Sequence, residues 1–262
     1  MRDFLEQTIR EAGQIALSAY TSDIGSEQKT GRFDVVTEAD KAVNAFIIEK
    51  IQAAYPDHKI VSEEDNDVVP KSYEYDWLID PIDGTYNYAH GIGAWGVLMA
   101  LRKQGKTIMA AAYLPATDVL YIGEIGKGVT KNGRKITVGT QETLDNAMGY
   151  CSRARIKKTI LGKTKDDITL CQQALIRVVE HPSIKIMCYN AAITLSLIAE
   201  GAMDFAFGHF GMAWDLATPL FLCQEAGAIV TKLDGSDWTE KDVGPVVIAN
   251  PTLHKEVMTL FA

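Results

Sequence analysis

The sequence predicts an α/β fold built of layers, and three observations support this prediction. Signals for helices and for strands alternate along the whole chain. The predicted strands come from separated parts of the sequence with helices between them, which is typical of sheets covered by helices. Hydrophobic residues make up 47% of the 262 residues, enough to bury a large core and too many for an intrinsically disordered chain.

In the first half, apolar residues recur every three or four positions over 3–20 and 38–54, which predicts two amphipathic helices. Short apolar runs predict five strands, at residues 59–61, 76–80, 94–102, 107–114 and 119–122. Two dipeptides are typical of tight turns, Gln104-Gly105 and Asn132-Gly133, and the first of them indicates a hairpin between two of the strands.

The second half repeats the alternation with clear helix caps. Helices are predicted over 166–180, 190–200 and 215–226, with a last one from Pro251. Strands are predicted at 184–188, 228–231 and 246–249. Asn190 and Asn250 are typical N-cap residues, and Gly201 and Gly227 lie where a helix C-terminus favours glycine.

Between residues 140 and 165 the apolar periodicity gives way to charge-rich sequence. We therefore expect two halves, an N-terminal one over residues 1–147 and a C-terminal one over residues 148–262.

The composition excludes several classes of protein. With 26 basic and 34 acidic residues, the net charge of −8 argues against broad binding to nucleic acid or to anionic membranes. No apolar run approaches the ~18 residues of a membrane span, and the N-terminus does not resemble a secretory signal. The four cysteines form no Cys-x-x-Cys pair, which indicates reduced thiols and a cytoplasmic protein.

Residues 77–87, Trp-Leu-Ile-Asp-Pro-Ile-Asp-Gly-Thr-Tyr-Asn, are the most informative stretch. A buried strand delivers Asp80 to a sheet edge, and Pro81 is expected to end the ladder because it lacks a backbone N–H. Asp80, Asp83 and the carbonyl of Ile82 are oxygen donors of the kind that hard cations prefer. Backbone N–H groups that follow them favour phosphate. By itself the stretch is equally compatible with an Asp-rich turn.

Three other acidic segments have both structural and functional interpretations. Residues 62–65, Ser-Glu-Glu-Asp, follow a strand, and we expect Glu64 and Asp65 to be part of a solvated loop. Asp215 precedes a helix, where it is a candidate N-cap, a role that does not exclude metal binding. Asp40 lies three residues after Thr37, so that the two are interpreted most simply as a cap arrangement at a helix start.

These segments occur in the order seen in inositol monophosphatases. The chain resembles that family of Mg²⁺-dependent, lithium-sensitive phosphatases along nearly its whole length, and the Asp-Pro-Ile-Asp-Gly-Thr core is highly specific. The motifs that carry the resemblance are residues 34–40, 62–64, 77–87 and 214–217. The resemblance implies an αβαβα sandwich, a homodimer and two or three Mg²⁺ ions at each active site.

The resemblance also assigns roles to residues. It implies that Glu63, Asp80 and the Ile82 carbonyl bind a first metal ion, and that Asp80, Asp83 and Asp215 bind a second. Glu63 also reaches a third ion through water. Thr85 and Asp40 match the pair that orients and deprotonates the attacking water, which changes the interpretation of Asp40. The N–H groups of Gly84 and Thr85 are expected to bind the phosphate.

The predicted activity is hydrolysis of a small phosphorylated polyol or sugar, similar to inositol 1-phosphate, by metal-activated water. The chain departs from the inositol-specific members because Gly208 replaces their substrate-binding Glu. Asn190 and His209 are candidate substrate contacts, although Asn190 is explained more simply as a cap. Histidinol phosphate, fructose 1,6-bisphosphate and 3′-phosphorylated nucleotides therefore remain alternative substrates. A non-catalytic metal-binding protein is the alternative of another class.

Overall fold

The computed structural model describes residues 1–20, 26–31, 34–64, 67, 69, 72–152, 165–242 and 244–262. For residues 26–31, 34–37 and 165–166 only the backbone is described. The predicted cap Thr37 therefore has no described side chain, and Asp65 lies outside the described residues.

The described residues contain seven α-helices, of which all but the short α3 lie close to their predicted positions. They are α1 (Arg2–Tyr20), α2 (Glu38–Ala54), α3 (Thr85–Ala89), α4 (Lys165–Glu180), α5 (Ala191–Ala199), α6 (Ala213–Glu225) and α7 (Pro251–Met258). The predicted caps are confirmed at two of them. The side chain of Asn190 accepts a hydrogen bond from the N–H of Ile193, and that of Asn250 accepts from the N–H of Thr252.

Fourteen strands form a two-stranded ribbon and two larger sheets. The strands are β1 (Ser26–Gly31), β2 (Asp34–Thr37), β3 (Lys59–Ser62), β4 (Tyr75–Asp83), β5 (Gly96–Lys103), β6 (Lys106–Leu114), β7 (Val119–Glu124), β8 (Gly128–Lys131), β9 (Arg134–Ile136), β10 (Met148–Cys151), β11 (Lys185–Ile186), β12 (Phe205–Gly208), β13 (Ile229–Lys232) and β14 (Val246–Ala249). β1 and β2 pair with each other as the ribbon.

The larger sheet contains seven strands in the order β3-β4-β5-β6-β7-β8-β9. All neighbours are antiparallel except β3 and β4, which are parallel. The second sheet has the order β11-β10-β12-β14-β13, parallel at β11-β10-β12 and antiparallel in the rest.

Side-chain alternation along the strands arranges these elements in five layers. On β5, Val97, Met99 and Leu101 pack in the core beneath α1 and α2, whereas Leu98 faces the core that contains α5 and α6. The second sheet covers the other side of α5 and α6, and its outer face packs against α4 and α7. The order is helix, sheet, helix, sheet, helix, which confirms the predicted αβαβα sandwich.

Two details of the predicted strands are wrong. The β4 strand continues through Pro81 to Asp83 because a bulge between Asp80 and Asp83 accommodates the residue that cannot donate to the ladder. Strands β1, β8, β9, β10 and β12 were not predicted. The last four have only three or four residues each, and the sequence of β1, Ser-Glu-Gln-Lys-Thr-Gly, contains no apolar alternation. The Asn132-Gly133 turn between β8 and β9 is confirmed, with positive φ at both residues.

None of the helices in the described part of the chain is long and apolar enough to cross a membrane. The seven-stranded sheet ends at residue 136 and the five-stranded sheet begins at residue 148, while α5 and α6 contact both. The predicted division at residues 147/148 stays a prediction.

Candidate active site and metal centre

The bulge in β4 places two aspartates at the end of a buried strand. Asp80 pairs with Leu98 of β5, and Asp83 is the next residue in register, opposite Gly96. Two residues of β4 therefore lie against one of β5, and such a bulge redirects the side chains that follow it. Asp80 and Asp83 are both buried.

The third aspartate comes from the start of α6. Asp215 is the third residue of this helix and not its N-cap, because α6 begins at Ala213. Its Oδ2 accepts a hydrogen bond from the N–H of Met212 at 2.5 Å. Gly211 makes the close approach possible, since a Cβ there would lie 2.1 Å from the same oxygen.

Asp80, Asp83 and Asp215 converge, although Asp215 is more than 130 residues from the other two in sequence. Each offers one carboxylate oxygen, and these atoms lie within 4.8 Å of one another. Glu63 follows β3, next to β4, and its charge acts on Asp80. The structure thus brings together the four predicted carboxylates from two strand ends and one helix.

The electrostatics of this cluster fit a cation. Burial, followed by the negative charge of Glu63 and of the neighbouring aspartates, raises the pKa of Asp80 well above its usual value. Burial also raises the pKa of Asp83 to about 7, against the opposing effect of a backbone N–H, and that of Asp215 to about 7 with the help of Asp83. Buried carboxylates this close cannot all ionise without a positive charge among them.

Asp80 gives the clearest test of whether a metal fits. Both of its carboxylate oxygens are buried, no described N–H or hydroxyl group donates a hydrogen bond to either, and the side chains that interact with them include the carboxyls of Glu63 and Asp215. A buried acceptor without a donor is costly, and a carboxylate more so. A divalent cation that takes oxygen ligands would supply the missing partner, so the donor set fits such an ion.

The loop after β4 places the predicted nucleophile-activating pair beside this cluster. The hydroxyl of Thr85 lies 2.9 Å from the carbonyl oxygen of Ile82 and 3.5 Å from Oδ1 of Asp40. Asp40 is buried in the first turn of α2. The Ile82 oxygen has a second lone pair, so the bond from Thr85 leaves it able to bind an ion.

Gly84 occupies a position that only glycine tolerates. It is the N-cap of α3 with φ of 89°, in the left-handed region, and an added Cβ would lie 2.3 Å from Nδ2 of Asn190. The first N–H groups of α3, beginning with that of Thr85, have no acceptor within the helix, which leaves them available to an anion.

Asn190 joins the two halves of the site. Its Nδ2 donates to the backbone oxygen of Asp83 at 2.7 Å, while its Oδ1 caps α5. The N–H of Ala192, the second residue of the same helix, donates to Oδ2 of Asp83. The cap interpretation is therefore confirmed, and a contact between Asn190 and substrate stays a prediction.

His209 and Gly208 lie at the end of β12. His209 is buried, and its carbonyl accepts a hydrogen bond from the hydroxyl of Ser152 at 2.5 Å. Gly208 has φ of 122°, and a Cβ there would lie 2.8 Å from the carbonyl oxygen of Ser152. The backbone thus leaves no room for a side chain at position 208, and a contact between His209 and substrate stays a prediction.

Two contacts of the site were not predicted, and both are backbone N–H groups. Met212 and Ala192 donate to the carboxylates of Asp215 and Asp83, respectively. The signal was the position of these residues at helix starts, where N–H groups lack intrahelical partners. The acceptor of the Ala192 N–H could not be predicted, because Ala192 and Asp83 are 109 residues apart.

Comparison with known proteins finds relatives in sequence and in structure. The sequence model of the Inositol monophosphatase family matches residues 1–262. An inositol-1-monophosphatase of Mesorhizobium japonicum is 31% identical over 264 residues, which cover 98% of this chain and 96% of that protein. The Nus factor SuhB of Escherichia coli K12 is 29% identical over 266 residues, covering 98% and 94%.

Solved structures show the same fold. The extragenic suppressor protein suhB of Bartonella henselae superposes with a TM-score of 0.87 at 22% identity, over 99% of this chain and 97% of the other. The IMPase of Thermotoga maritima has a TM-score of 0.82 at 26% identity, over 99% and 95%.

Proposed function

The chain belongs to the inositol monophosphatase family, and from this premise we propose that it is a Mg²⁺-dependent phosphomonoesterase acting on a small phosphorylated polyol or sugar. The observation that carries the proposal is the pair of unpartnered, buried oxygens on Asp80. They lie within a cluster of three aspartates, and the predicted catalytic pair is on the adjoining loop.

In this proposal the carboxylates would bind two ions directly. The first ion would be bound by Glu63, Asp80 and the Ile82 carbonyl, and the second by Asp80, Asp83 and Asp215. Glu63 would also bind a third ion through water. When bound, such ions lower the pKa of water and neutralise charge on a phosphate group.

The residues of the chain supply orientation and proton transfer. Thr85 Oγ1 takes a proton from the attacking water while its own hydroxyl proton passes to Oδ1 of Asp40, which lies 3.5 Å away, so that hydroxide attacks phosphorus and Asp40 becomes protonated. The bond from phosphorus to the ester oxygen breaks, and the departing oxygen takes a proton from water. Burial of Asp40 keeps bulk water from competing for that proton. The N–H groups of Gly84 and Thr85 bind phosphate oxygens and stabilise the charge that develops on them.

For the substrate we propose a compound similar to inositol 1-phosphate. The lack of a side chain at Gly208 removes a hydroxyl-binding carboxylate, so a substrate with fewer hydroxyl groups also fits. Histidinol phosphate, fructose 1,6-bisphosphate and 3′-phosphorylated nucleotides are the alternatives. Asn190 and His209 are the proposed substrate contacts from the C-terminal half.

A substrate panel tests this function. The purified chain is assayed with each of these phosphate esters in the presence of Mg²⁺ and again with EDTA. We expect release of phosphate only with Mg²⁺, and loss of that release in Asp83→Asn. Turnover restricted to histidinol phosphate would reject the inositol assignment, and unchanged turnover in Asp83→Asn would reject the metal site.

Two further properties are proposed from the family, a homodimer and inhibition by lithium, and a cytoplasmic location is proposed from the four cysteines that form no Cys-x-x-Cys pair. Sedimentation analysis tests the homodimer and cell fractionation the cytoplasmic location. Inhibition by LiCl is expected to be uncompetitive with respect to substrate, because lithium would enter after product forms. Competitive inhibition would contradict this order.

A second candidate function follows from the relatives named Nus factor SuhB, which suggest a role with nucleic acid. The net charge of −8 opposes direct binding to RNA, so we expect no retention of RNA by the chain at 0.15 M salt. If the chain retains RNA, and Asp83→Asn retains it equally, the result would instead support a function separate from hydrolysis.

A further inference from the structure

A buried hydrogen bond lies immediately behind the acidic cluster. The hydroxyl of Ser62 donates to Oδ1 of Asn44 at 2.7 Å, and these residues are only 2% and 1% exposed. Neither residue belongs to the proposed metal ligands or to the catalytic pair. Their bond connects the last residue of β3 to the middle of α2.

Each partner of this bond is adjacent to a residue of the proposed site. Asn44 lies four residues after Asp40 on α2, which places the two on the same face of the helix. Ser62 directly precedes Glu63 in sequence. The bond therefore connects the segment that carries the proposed base to the segment that carries a proposed metal ligand.

Two further bonds hold the segment around Glu63. Its N–H donates to the carbonyl oxygen of Ile79, next to Asp80 on β4, at 3.2 Å. The N–H of Glu64 points to the Ser62 hydroxyl oxygen at 3.5 Å. Glu63 is thus held by β4 on one side and by Asn44, through Ser62, on the other.

Stability alone does not explain the hydrogen-bonded pair of Ser62 and Asn44. Nδ2 of Asn44 is buried, and no described residue accepts a hydrogen bond from it. A partly satisfied polar pair is less favourable than apolar side chains of similar volume. Helix α2 could pack on β3 through aliphatic side chains, as Val43 and Ile47 pack in the surrounding core.

We propose that Asn44 and Ser62 are positioning residues that fix the distance between Asp40 and Glu63, and through it the fit of the site to its metal ions. This inference rests on the proposed function. It adds to the site two uncharged residues that act through Glu63 and Asp40.

The test uses three variants of the full chain. Ser62→Ala removes one oxygen atom and with it the bond, Ser62→Thr keeps the hydroxyl, and Asn44→Ala removes the other partner. The matched control is Thr231→Val. It removes a buried hydrogen bond of 2.9 Å between Thr231, on β13 of the second sheet, and His254, and neither residue belongs to the acidic cluster.

The first readout is Mg²⁺ binding without substrate, measured by tryptophan fluorescence, since Trp214 adjoins Asp215. Residues that support metal ligands typically change affinity by 10–100-fold when removed. We expect Ser62→Ala and Asn44→Ala each to raise the half-saturating Mg²⁺ concentration about tenfold. Ser62→Thr and Thr231→Val are expected to retain the value of the unmodified chain.

The second readout separates positioning from stability. All deletions of a buried bond are expected to lower Tm, including the control. Ser62→Ala and Asn44→Ala could lower Tm and yet have the same half-saturating Mg²⁺ concentration as Thr231→Val. In that case the pair is only structural and the inference is wrong. If Asn44→Ala does not fold, Ser62→Ala decides alone, because it removes a single atom.

Asp83→Asn distinguishes this outcome from failure of the proposed function. Loss of Mg²⁺ binding in Asp83→Asn, with normal binding in Ser62→Ala, rejects the positioning role only. Unchanged Mg²⁺ binding in Asp83→Asn rejects the metal site, and with it the basis of the inference.

Discussion

The hydroxyl of Thr85 lies within reach of two hydrogen-bond acceptors of the site. Its oxygen lies 2.9 Å from the Ile82 oxygen and 3.5 Å from Oδ1 of Asp40, and its single proton can serve only one of these acceptors at a time. An ion on the second lone pair of the Ile82 oxygen would make that oxygen a weaker acceptor, which would favour rotation of the hydroxyl toward Asp40. The hydroxyl therefore connects the metal ligands to the proposed base.

Thr85→Val tests this role, since it removes the hydroxyl while preserving the shape of the side chain. Loss of general-base assistance lowers turnover by about 10²–10⁴-fold. We expect kcat to fall within that range while Mg²⁺ binding is unchanged. Thr85→Ser is the control and is expected to retain most of kcat. A Val variant with normal kcat would remove Thr85 from the mechanism.

The pKa values of Asp83 and Asp215, raised to about 7 by burial, predict how the metal-free protein responds to pH. Between pH 4 and 7 the folded chain holds protons that an unfolded chain, with carboxyl pKa near 3.8, has released. The free energy of unfolding in EDTA should therefore fall as the pH rises through this window.

Metal binding should show the opposite dependence. An ion must displace the protons on these carboxylates, so its apparent affinity weakens as the pH falls below 7. The affinity falls by about tenfold per pH unit for each proton displaced. Calorimetric titration with Mg²⁺ at pH 6 and 8, in buffers of different ionisation enthalpy, measures both affinity and proton release. Equal affinity at the two pH values would contradict the raised pKa values.

At the scale of elements, the junction between the β4–α3 turn and the start of α5 builds the site. Asn190 and Ala192 of the α5 start bond to the backbone and side chain of Asp83. The turn can approach this closely because Gly84 has no side chain. Packing at this junction therefore determines where the ligands of the second ion lie.

Gly84→Ala is the sharpest test of the junction. The left-handed φ of 89° costs an alanine about 1–2 kcal/mol, and the Cβ must also displace Asn190, which it would approach to 2.3 Å. We expect urea unfolding to report a loss of more than about 2 kcal/mol, together with lost phosphatase activity.

Gly91→Ala provides the matched control. Its φ of 70° is also left-handed, but an added Cβ would meet nothing within 4 Å. It should cost only the conformational term, about 1–2 kcal/mol, and leave activity intact. Equal effects of the two substitutions would show that contact with Asn190 is unimportant.

Local patterns in the sequence predicted the elements well where one residue decides the conformation. The caps at Asn190 and Asn250 and the glycine ends of two helices depend only on neighbouring backbone groups. The bulge around Pro81 was not predictable, because its accommodation depends on the partner strand β5. The contact between Ala192 and Asp83 was likewise hidden, since it depends on packing between distant segments.

At the scale of the whole molecule, the site accounts for much of the net charge. Asp40, Glu63, Asp80, Asp83 and Asp215 are five of the 34 acidic residues, which leaves 29 against 26 basic ones. The remaining surface is thus close to neutral. Two bound divalent cations would bring a charge of about +4 against these five carboxylates and so nearly neutralise the site, which lets a chain of net charge −8 bind a small phosphate ester.

Because repulsion among these buried carboxylates acts against folding, metal binding should stabilise the entire chain. A ligand present at 100 times its Kd adds about 2.7 kcal/mol to the free energy of unfolding. We expect saturating Mg²⁺ to raise Tm relative to EDTA in the unmodified chain. Thermal unfolding followed by fluorescence measures the difference.

Asp83→Asn should remove most of the difference in Tm between Mg²⁺ and EDTA. Removal of one buried charge relieves repulsion in the metal-free state, so Tm in EDTA should equal or exceed that of the unmodified chain. The same change removes a ligand, so Mg²⁺ should add little. Exposed Asp57, changed to Asn, is the control and should keep the full response to Mg²⁺. A full response in Asp83→Asn would mean that the charge on Asp83 is balanced by something other than a metal ion.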